Sequence, residues 1–390
     1  MARKLLWWSF LEFFRTLLRQ LSPQRIRFIW QRIFAKQDIK QLRIAIAMPG
    51  GIGDILMYGL MLKELSKHIH CEHSIDVYTD GTDKKAILDF VFQAFPFVHR
   101  CIGDNGKKWP EFLNPIPSMT MPYDIWMRVD RCAIVVYCDY GRVDIMSPWL
   151  GRFCKENELF RAKYSKFFKN APYHHPMINQ WSILCKKKRI QQPDPCQMLG
   201  INDSSYTFLH VDPGSYGLLS ALKLQNTPYI TLQRGFHYCV GLRDSTRLWP
   251  IYHYKKFIKL FHQKYPSIKI VQLGHSQNTC ASIPGIDIDL IGKTSLREVA
   301  ILLKHSLFHL DGESGMVHMK KFLNGQSIVL FGPTSAKMFG YPENINITGD
   351  GCHSWCEWVS DDWYKTCLRG FAEAPCMASI APERVLEAAN

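Results

Sequence analysis

The sequence predicts an α/β protein with two parallel sheets, and three observations lead to this fold class. In two stretches of the chain, short apolar runs of strand length alternate with segments of helical periodicity. The first stretch opens with an apolar run, a glycine-rich turn and a helix, and the second repeats strand and helix three times. This alternation is typical of parallel sheets covered by helices. We therefore expect two Rossmann-like domains with a cleft between them, and ligands beyond the carboxyl ends of the strands.

The composition indicates a folded protein with an anionic partner. The chain of 390 residues is long enough for two domains, and 47% hydrophobic and 13% aromatic residues are typical of a globular protein. The formal net charge of +14 favours nucleic acid, a lipid surface or a phosphorylated substrate as the partner. Charge alone does not choose among these three.

Residues 1–40 form a basic amphipathic N-terminal arm. They hold nine Lys or Arg against two acidic residues, and "MARKLLWWSFLEFFRTLLRQL" spaces apolar side chains at helical intervals. The tryptophans and interleaved cations favour a helix in a membrane interface, whereas the charges exclude a helix that spans the membrane. The segment lacks the features of a secretory signal. The alternative is a helix packed on the first domain or on a second copy of the chain.

The first domain is expected at residues 41–225 and the second at 226–350, followed by a Cys-containing tail and C-terminal helix at 351–390. The region from 139 to 195 is less regular than the rest. The predicted elements of the first domain are strands at 42–48, 73–80, 123–129, 133–138 and 206–212, and helices at 55–67 and 214–224. Those of the second are strands at 229–235, 268–274, 307–312 and 326–332, and helices at 250–265, 295–306 and from Gly315.

The first motif is "MPGGIGD" at residues 48–54, between a strand and a helix. Its glycines allow a tight turn and a close approach of the backbone to a ligand, and Gly53 precedes Asp54 at the helix start. No Lys-Ser or Lys-Thr follows, so the motif is not a P-loop. Asp54 is a candidate general base, and the alternative is a carboxylate that only caps the helix.

The second motif is "LRDSTRLWP" at 242–250, after the first strand of the second domain. Pro250 favours a helix start, and a guanidinium at that place is suited to a diphosphate because it forms bidentate, charge-assisted hydrogen bonds. Arg247 is therefore a candidate catalytic residue. The alternative is a surface arginine with Trp249 packed beneath it.

The third motif, "LFHLDGESGMVH" at 307–318, joins a strand to a helix. Backbone amides of Gly315 and Met316 at the helix start can receive phosphate oxygens. Glu313 has the same charge sign as phosphate, so we expect it to accept hydrogen bonds from sugar hydroxyls, with Ser314 beside it. His318 faces either the same ligand or the core. The alternative for the whole motif is a strand, a tight turn and a packed helix.

Two further segments are candidates for binding. "VLFGPTS" at 329–335 places Gly332 and Thr334 after another strand, where they could line the same cleft. In the tail, four of the thirteen cysteines lie within 25 residues, in a chain without an export signal. Their irregular spacing leaves three alternatives open: a structural Zn or Fe site, reduced packing thiols or disulfides. The candidate metal ligands are Cys352, Cys356, Cys367 and Cys376.

In their order along the chain, these motifs resemble glycosyltransferase family 9, the heptosyltransferase-like enzymes. The resemblance covers about residues 42–390 and is strongest in "GKTSLREVAILLKHSLFHLDGESGMVHMKKFLNG" and "VLFGPTS". It implies a GT-B fold, a nucleotide-sugar held mainly by the C-terminal domain, and metal-independent transfer with inversion.

The same resemblance assigns roles to single residues. Asp54 is similar to the family's general base, and Arg247 stands where the family usually has a Lys that neutralises the departing diphosphate. Glu313 replaces the usual Asp, whereas Ser314, Gly315 and His318 match the family motif. A subgroup that glycosylates bacterial autotransporter proteins is said to hold iron at its C-terminal cysteines.

The sequence thus predicts an inverting glycosyltransferase that moves a heptose or hexose from a nucleotide-diphosphate sugar to a bacterial surface glycan: lipopolysaccharide, lipooligosaccharide or capsule. We expect it in the cytoplasm, peripheral on the inner membrane, where the N-terminal arm and the basic stretch at 159–193 meet anionic lipid or a glycolipid acceptor. No nucleic acid partner and no catalytic cofactor are expected, and a homo-oligomer is left open. The alternatives are a protein heptosyltransferase with a metal-bound Cys tail and a catalytically silent metal-binding assembly protein.

Overall fold

The computed structural model describes residues 40–48, 50–79, 82–103, 123–129, 133–163, 209, 211, 216–235, 245–275, 282–357 and 363–390. These residues fall into two compact units, each built around one sheet. The first unit holds residues 40–50 and 61–163, and the second holds 51–60 and those from 209 onward. The N-terminal arm and most of the basic stretch at 159–193 lie outside the described residues. No described helix is long and apolar enough to cross a membrane.

The first unit contains a five-stranded sheet in the order β3-β2-β1-β4-β5. β1 pairs in parallel with β2 and β4, β2 pairs in parallel with β3, and β5 closes the edge antiparallel to β4. The strands are β1 Gln41–Ala47, β2 Glu72–Thr79, β3 Val98–Gly103, β4 Ile125–Val129 and β5 Ala133–Cys138, and the helices are α1 Ile52–Lys67, α2 Thr82–Phe92, α3 Tyr140–Met146 and α4 Pro148–Lys163.

The central strand of this sheet is buried because it carries apolar side chains on both faces. Leu42, Ile44 and Ile46 are fully buried, as are Ala45 and Ala47 on the other face. Such a near-continuous apolar run is typical of a parallel strand with helices on both sides.

The second unit contains a six-stranded, wholly parallel sheet in the order β11-β10-β9-β6-β7-β8. Its strands are β6 Tyr229–Gln233, β7 Lys269–Leu273, β8 Ile288–Asp289, β9 His309–Gly312, β10 Ser327–Phe331 and β11 Ile345–Thr348. Its helices are α5 Tyr216–Ala221, α6 Ile251–Lys264, α7 Leu296–His305, α8 Gly315–Phe322, α9 Ala336–Phe339, α10 Pro375–Ala378 and α11 Pro382–Glu387.

The largest described core cluster lies in the second unit. Trp249 is 1% exposed and packs edge-on against Tyr254, and its indole N–H donates to the carbonyl of Ile380 over 3.0 Å. α7 begins with a capping box between Ser295 and Glu298, which satisfies two amides that the helix itself cannot pair.

The predicted α/β class is confirmed, and the differences concern elements that the sequence did not identify, among them the 11-residue helix α2. The structure adds β3, β8 and β11, which the sequence did not predict, and it forms helices α3 and α4 in the less regular region that begins at 139. β8 spans only two residues, so it has no detectable periodicity. Of the predicted strand at 206–212, only residues 209 and 211 are described, and neither is part of a strand.

A buried lysine ties α8 to α7. Lys320 is 1% exposed, and its ammonium group donates to the carbonyls of Leu303 and Ser306 over 2.6 and 2.7 Å and to the Ser306 hydroxyl over 3.0 Å. These carbonyls lie at the C-terminal end of α7, where a cation is favourable. Burial, together with repulsion from Lys304, nevertheless lowers the pKa of Lys320 to about 8.

The pH dependence of the free energy of unfolding should reveal the lowered pKa of Lys320. Between pH 8 and the usual lysine value of 10.5 the folded chain binds fewer protons than the unfolded chain, so the free energy of unfolding should rise with pH. The total rise is up to about 3 kcal/mol, because one pKa unit corresponds to about 1.4 kcal/mol. Urea unfolding at several pH values should show this rise in the wild type and lose it in Lys320→Met. The control Lys259→Met, at an exposed lysine of α6, should keep it.

Candidate active site

Three loops of the second unit follow the carboxyl ends of neighbouring strands. β10, β9 and β6 are adjacent and parallel, so the loops that follow them meet at one edge of the sheet. The backbones there are close: a Cβ atom added to Gly312 would lie 3.5 Å from the carbonyl oxygen of Arg247 and 3.8 Å from that of Leu330. The structure thus brings the second and third sequence motifs together.

The start of α8 provides backbone donors at this edge. Ser314 is the N-cap residue, in extended conformation, and its hydroxyl oxygen accepts a hydrogen bond from the Met316 amide over 3.2 Å. The first amides of a helix have no partner within the helix, and the helix dipole adds partial positive charge there. The arrangement is therefore suited to an anionic group, as the sequence predicted for Gly315 and Met316.

Arg247 and Glu313, which the sequence assigned to different parts of a donor, form an ion pair. The guanidinium Nη2 lies 2.6 Å from Oε2 of Glu313 and also donates to the Glu313 backbone carbonyl. Both side chains are 17% exposed. The guanidinium carbon of Arg247 lies over the ring of Trp363, 5.5 Å from its centroid. Arg247 is thus held against the start of α8 rather than extended at the surface, and Trp249 is part of the core.

His318 continues this chain of polar contacts. Its Nε2 lies 3.8 Å from Oε1 of Glu313, and its Nδ1 lies 2.5 Å from the hydroxyl of Tyr341, which also contacts the sulfur of Met57 over 3.0 Å. His318 therefore faces the site rather than the core. Sequence reasoning missed Tyr341, since no local motif marks it and its link to His318 exists only in the folded chain.

The glycine-rich turn also belongs to this region, because residues 51–60 group with the second unit. A Cβ atom on Gly53 would lie 2.7 Å from Cδ2 of His318 and 3.3 Å from Cα of Gly315. A Cβ atom on Gly315 would in turn overlap the side chain of Ile52. Neither position has room for a side chain, so the start of α1 lies directly against the start of α8.

Asp54 lies in the first turn of α1. Its Oδ2 accepts a hydrogen bond from the Gly51 amide over 2.9 Å, which is the carboxylate half of a capping box. The contact that the sequence offered as an alternative to catalysis is therefore present. It does not exclude catalysis, because the residue beside Asp54 contacts both Gly315 and His318. The role of Asp54 as base stays a prediction.

The β10 loop packs against the C-terminal tail. Thr334 is 2% exposed, and a Cβ atom on Gly332 would lie 2.5 Å from Met377. The Pro333 carbonyl accepts from the Glu357 amide over 3.2 Å. Gly332 and Thr334 are therefore buried, so a ligand could contact only the small part of each residue that is still exposed.

The four tail cysteines line one small pocket with a volume of about 30 Å³. Other residues that line it are Thr246, Gly332 and Arg369. Among the described residues, none of the four cysteines is part of a disulfide bond. Within the described part of the chain, however, no three His, Cys, Asp or Glu side chains are grouped so that they could hold a metal ion. As arranged, the thiols share a pocket but do not fit the ligand set of a Zn or Fe site.

The environment of the thiols differs from one to the next. Burial raises the pKa of Cys352, but hydrogen bonds from Ser354 and Arg369 outweigh it and hold the pKa below the usual cysteine value. The Arg369 guanidinium lies 3.5 Å from the Cys352 sulfur. Burial raises the pKa of Cys376 to about 11. The thiolate is therefore favoured at the partly exposed Cys352 and disfavoured at the buried Cys376.

Comparison with known proteins gives consistent results. The sequence profile of "Glycosyltransferase family 9 (heptosyltransferase)" matches residues 152–360. No curated protein sequence matches the chain. Among solved structures, the chain is similar to the E. coli ADP-heptose lps heptosyltransferase II, with 16% identity, a TM-score of 0.52 and coverage of 89% of this chain and 97% of that one.

Two further solved structures are similar over comparable lengths. The glycosyl transferase family 9 protein from Veillonella parvula DSM 2008 has 14% identity and a TM-score of 0.52, with coverage of 89% of this chain and 96% of that one. The iron-containing dodecameric glycosyltransferase TibC from enterotoxigenic E. coli H10407 has 12% identity and a TM-score of 0.51, with coverage of 90% and 75%. At these identities the likeness shows the fold alone.

Proposed function

This chain belongs to glycosyltransferase family 9, the heptosyltransferases, and we propose that it transfers a heptose or hexose from a nucleoside-diphosphate sugar to a bacterial surface glycan. The predicted resemblance, the GT-B fold and the enzyme class are confirmed. The donor, the acceptor and the inverting mechanism belong to the proposal. Two contacts at the start of α8 support this proposal: Arg247 forms an ion pair with Glu313, and Gly53 of the first motif lies against Gly315.

The donor diphosphate would bind at the start of α8. The Gly315 amide would donate to its oxygens, the Met316 amide would share its hydrogen between the diphosphate and the Ser314 hydroxyl, and the Arg247 guanidinium would neutralise its charge. Before the donor binds, the carboxylate of Glu313 forms an ion pair with the guanidinium of Arg247. We expect the diphosphate to take over part of this contact, which leaves the carboxylate of Glu313 to accept hydrogen bonds from sugar hydroxyls.

Transfer would then proceed by a single displacement. Asp54 takes the proton from the acceptor hydroxyl as that oxygen forms a bond to the anomeric carbon. The bond between this carbon and the diphosphate breaks on the opposite face, so the configuration inverts. The nucleoside diphosphate leaves with its negative charge stabilised by Arg247 and the α8 amides. None of these steps requires a metal.

The proposed class of acceptor is inferred from the positive charge of the chain. A net charge of +14 and the basic N-terminal arm favour an anionic glycolipid acceptor at the cytoplasmic surface of the inner membrane. The arm itself lies outside the described residues, so the support for membrane contact is its sequence pattern.

Arg247 and Glu313 provide the direct test of the donor site. Calorimetric titration with ADP, GDP and UDP should identify a nucleoside diphosphate that the wild type binds. Arg247→Met should weaken that binding by about tenfold or more, because a hydrogen bond to a charged group is worth about 1.5–3 kcal/mol. Glu313→Gln should bind it a few-fold more tightly, since the guanidinium loses its competing carboxylate.

The matched control is Lys256→Met, which breaks the Lys256–Glu383 ion pair near the start of α6. It should leave nucleotide affinity unchanged. Unchanged affinity in Arg247→Met as well would contradict the proposed donor site.

Asp54 can be tested separately from donor binding. Asp54→Asn should lower kcat by about 10²-fold to 10⁴-fold, the usual contribution of a general base, without weakening the binding of the nucleoside diphosphate. The measurement is release of nucleoside diphosphate from ADP-, GDP- and UDP-sugars in the presence of glycolipid acceptors. Asp89→Asn, at an exposed carboxylate of α2, is the control. Full transfer by Asp54→Asn would remove Asp54 as the base.

A second candidate function is transfer to a protein acceptor, with a metal-bound cysteine tail. The observation that favours it is that four cysteines separated in sequence line one pocket, although the thiols would have to move closer to form a ligand set. This candidate predicts about one Fe or Zn per chain in the protein purified under reducing conditions, by elemental analysis, and loss of that metal in Cys352→Ser. Metal-free wild-type protein, in which all thirteen cysteine thiols titrate under denaturing conditions, would remove this candidate.

A further inference from the structure

Asp311 is a buried carboxyl group directly beneath the candidate donor site, and the mechanism above does not use it. It lies on β9, three residues before the N-cap of α8, and is 3% exposed. Its Oδ1 accepts a hydrogen bond from the Gly312 amide over 2.7 Å, and its Oδ2 accepts one from the Ser314 hydroxyl over 2.5 Å. Both carboxyl oxygens therefore hold the loop that leads into α8.

The contact with Ser314 fixes the direction of a hydroxyl group. A serine hydroxyl has one hydrogen to donate, and here it is donated to Asp311. The lone pairs of the same oxygen then accept from the Met316 amide, which forms the helix cap. Asp311 thus determines how Ser314 is oriented, and Ser314 in turn orders the first turn of α8.

A buried histidine completes the arrangement. His309 is fully buried, and its Nδ1 lies 3.0 Å from the Thr231 hydroxyl. The same hydroxyl has two further acceptors within reach, the Ser306 hydroxyl at 3.3 Å and the Phe308 carbonyl at 3.5 Å, so either partner can be the donor between Thr231 and His309. The other ring nitrogen, Nε2, has no hydrogen bond among the described residues and lies 3.5 Å from Oδ2 of Asp311.

The imidazole of His309 and the carboxyl group of Asp311 thus face each other in the core. Burial raises the pKa of Asp311, and its contacts with His309, Ser314 and Gly312 lower it in part. The raised pKa favours the neutral carboxyl group, which does not repel an anion at the start of α8 as a carboxylate would.

We propose that Asp311 is a positioning residue for the donor diphosphate: its carboxyl group holds Ser314 and, through it, the first turn of α8 in place. This inference rests on the proposed function. An amide at position 311 is a poor replacement for the carboxyl group: with its oxygen toward the Gly312 N–H, its NH₂ faces the Ser314 hydroxyl, which would then have to accept instead of donate.

The test is a double-mutant cycle on nucleotide affinity. The dissociation constant of the nucleoside diphosphate that the wild type binds, found among ADP, GDP and UDP, is measured by calorimetry for Asp311→Asn, Ser314→Ala and the double variant. We expect each single variant to bind about 5- to 30-fold more weakly, in line with the loss of a hydrogen bond to a charged or buried group. The double variant should bind no more weakly than the weaker single variant, because both changes break the same contact.

A matched control separates this role from general stability. Asn344→Ala removes a buried side chain whose Oδ1 accepts from the Ser327 amide over 2.9 Å, at the opposite, amino end of the sheet. It should lower the melting temperature without changing nucleotide affinity. Wild-type affinity in Asp311→Asn, or additive losses in the double variant, would overturn the inference alone. Failure of the wild type to bind any of the three nucleotides would instead overturn the proposed function and, with it, the inference.

If Asp311→Asn does not fold, two variants of Ser314 test the proposal instead. Ser314→Thr keeps the hydroxyl that donates to Asp311, whereas Ser314→Ala removes it at a cost of about 1 kcal/mol in stability. The proposal expects near wild-type affinity for the threonine variant and the full loss for the alanine variant. Equal affinities in both would overturn it.

Discussion

The parallel register of β6, β9 and β10 is the constraint on which the candidate site depends. Thr231 pairs with His309, and Val329 pairs with Asp311, so loops from distant parts of the sequence begin at the same level of the sheet. A shift of β9 by one residue would turn Asp311 to the other face of the sheet and remove its contact with Ser314. The apolar side chains of the core hold the register, and the polar contacts at the carboxyl edge follow from it.

The sequence predicted the elements with a strong local signal. The run from Leu42 to Met48 and the turn after it identified the first βα unit, and the capping box at Ser295 marks the start of α7 as the helical pattern predicted. The short strands β8 and β11 have too few residues for a period. The motifs themselves were recognisable because the residues of each are close together in the chain.

The contacts between motifs could not be predicted. Arg247 and Glu313 are separated by 66 positions, and the sequence assigned them to the phosphate and sugar parts of a donor. In the structure they neutralise each other, a result that depends on strand order and not on either motif. The partners of Asp311 have the same origin, since His309 on β9 lies between Thr231 on β6 and the Asp311 carboxyl group. Local chemistry indicates which groups can act, whereas topology decides which groups meet.

The ion pair between Arg247 and Glu313 also affects how fast an anion can be captured. A lone guanidinium would attract a charged ligand over about 10 Å, the screening length at moderate salt. Because a carboxylate lies 2.6 Å from it, this cation adds little to the long-range field. The field that remains at the start of α8 comes from backbone dipoles and acts only at short range. Encounter at this point should therefore depend little on ionic strength, and any strong salt dependence of the association rate would arise from basic residues elsewhere in the chain.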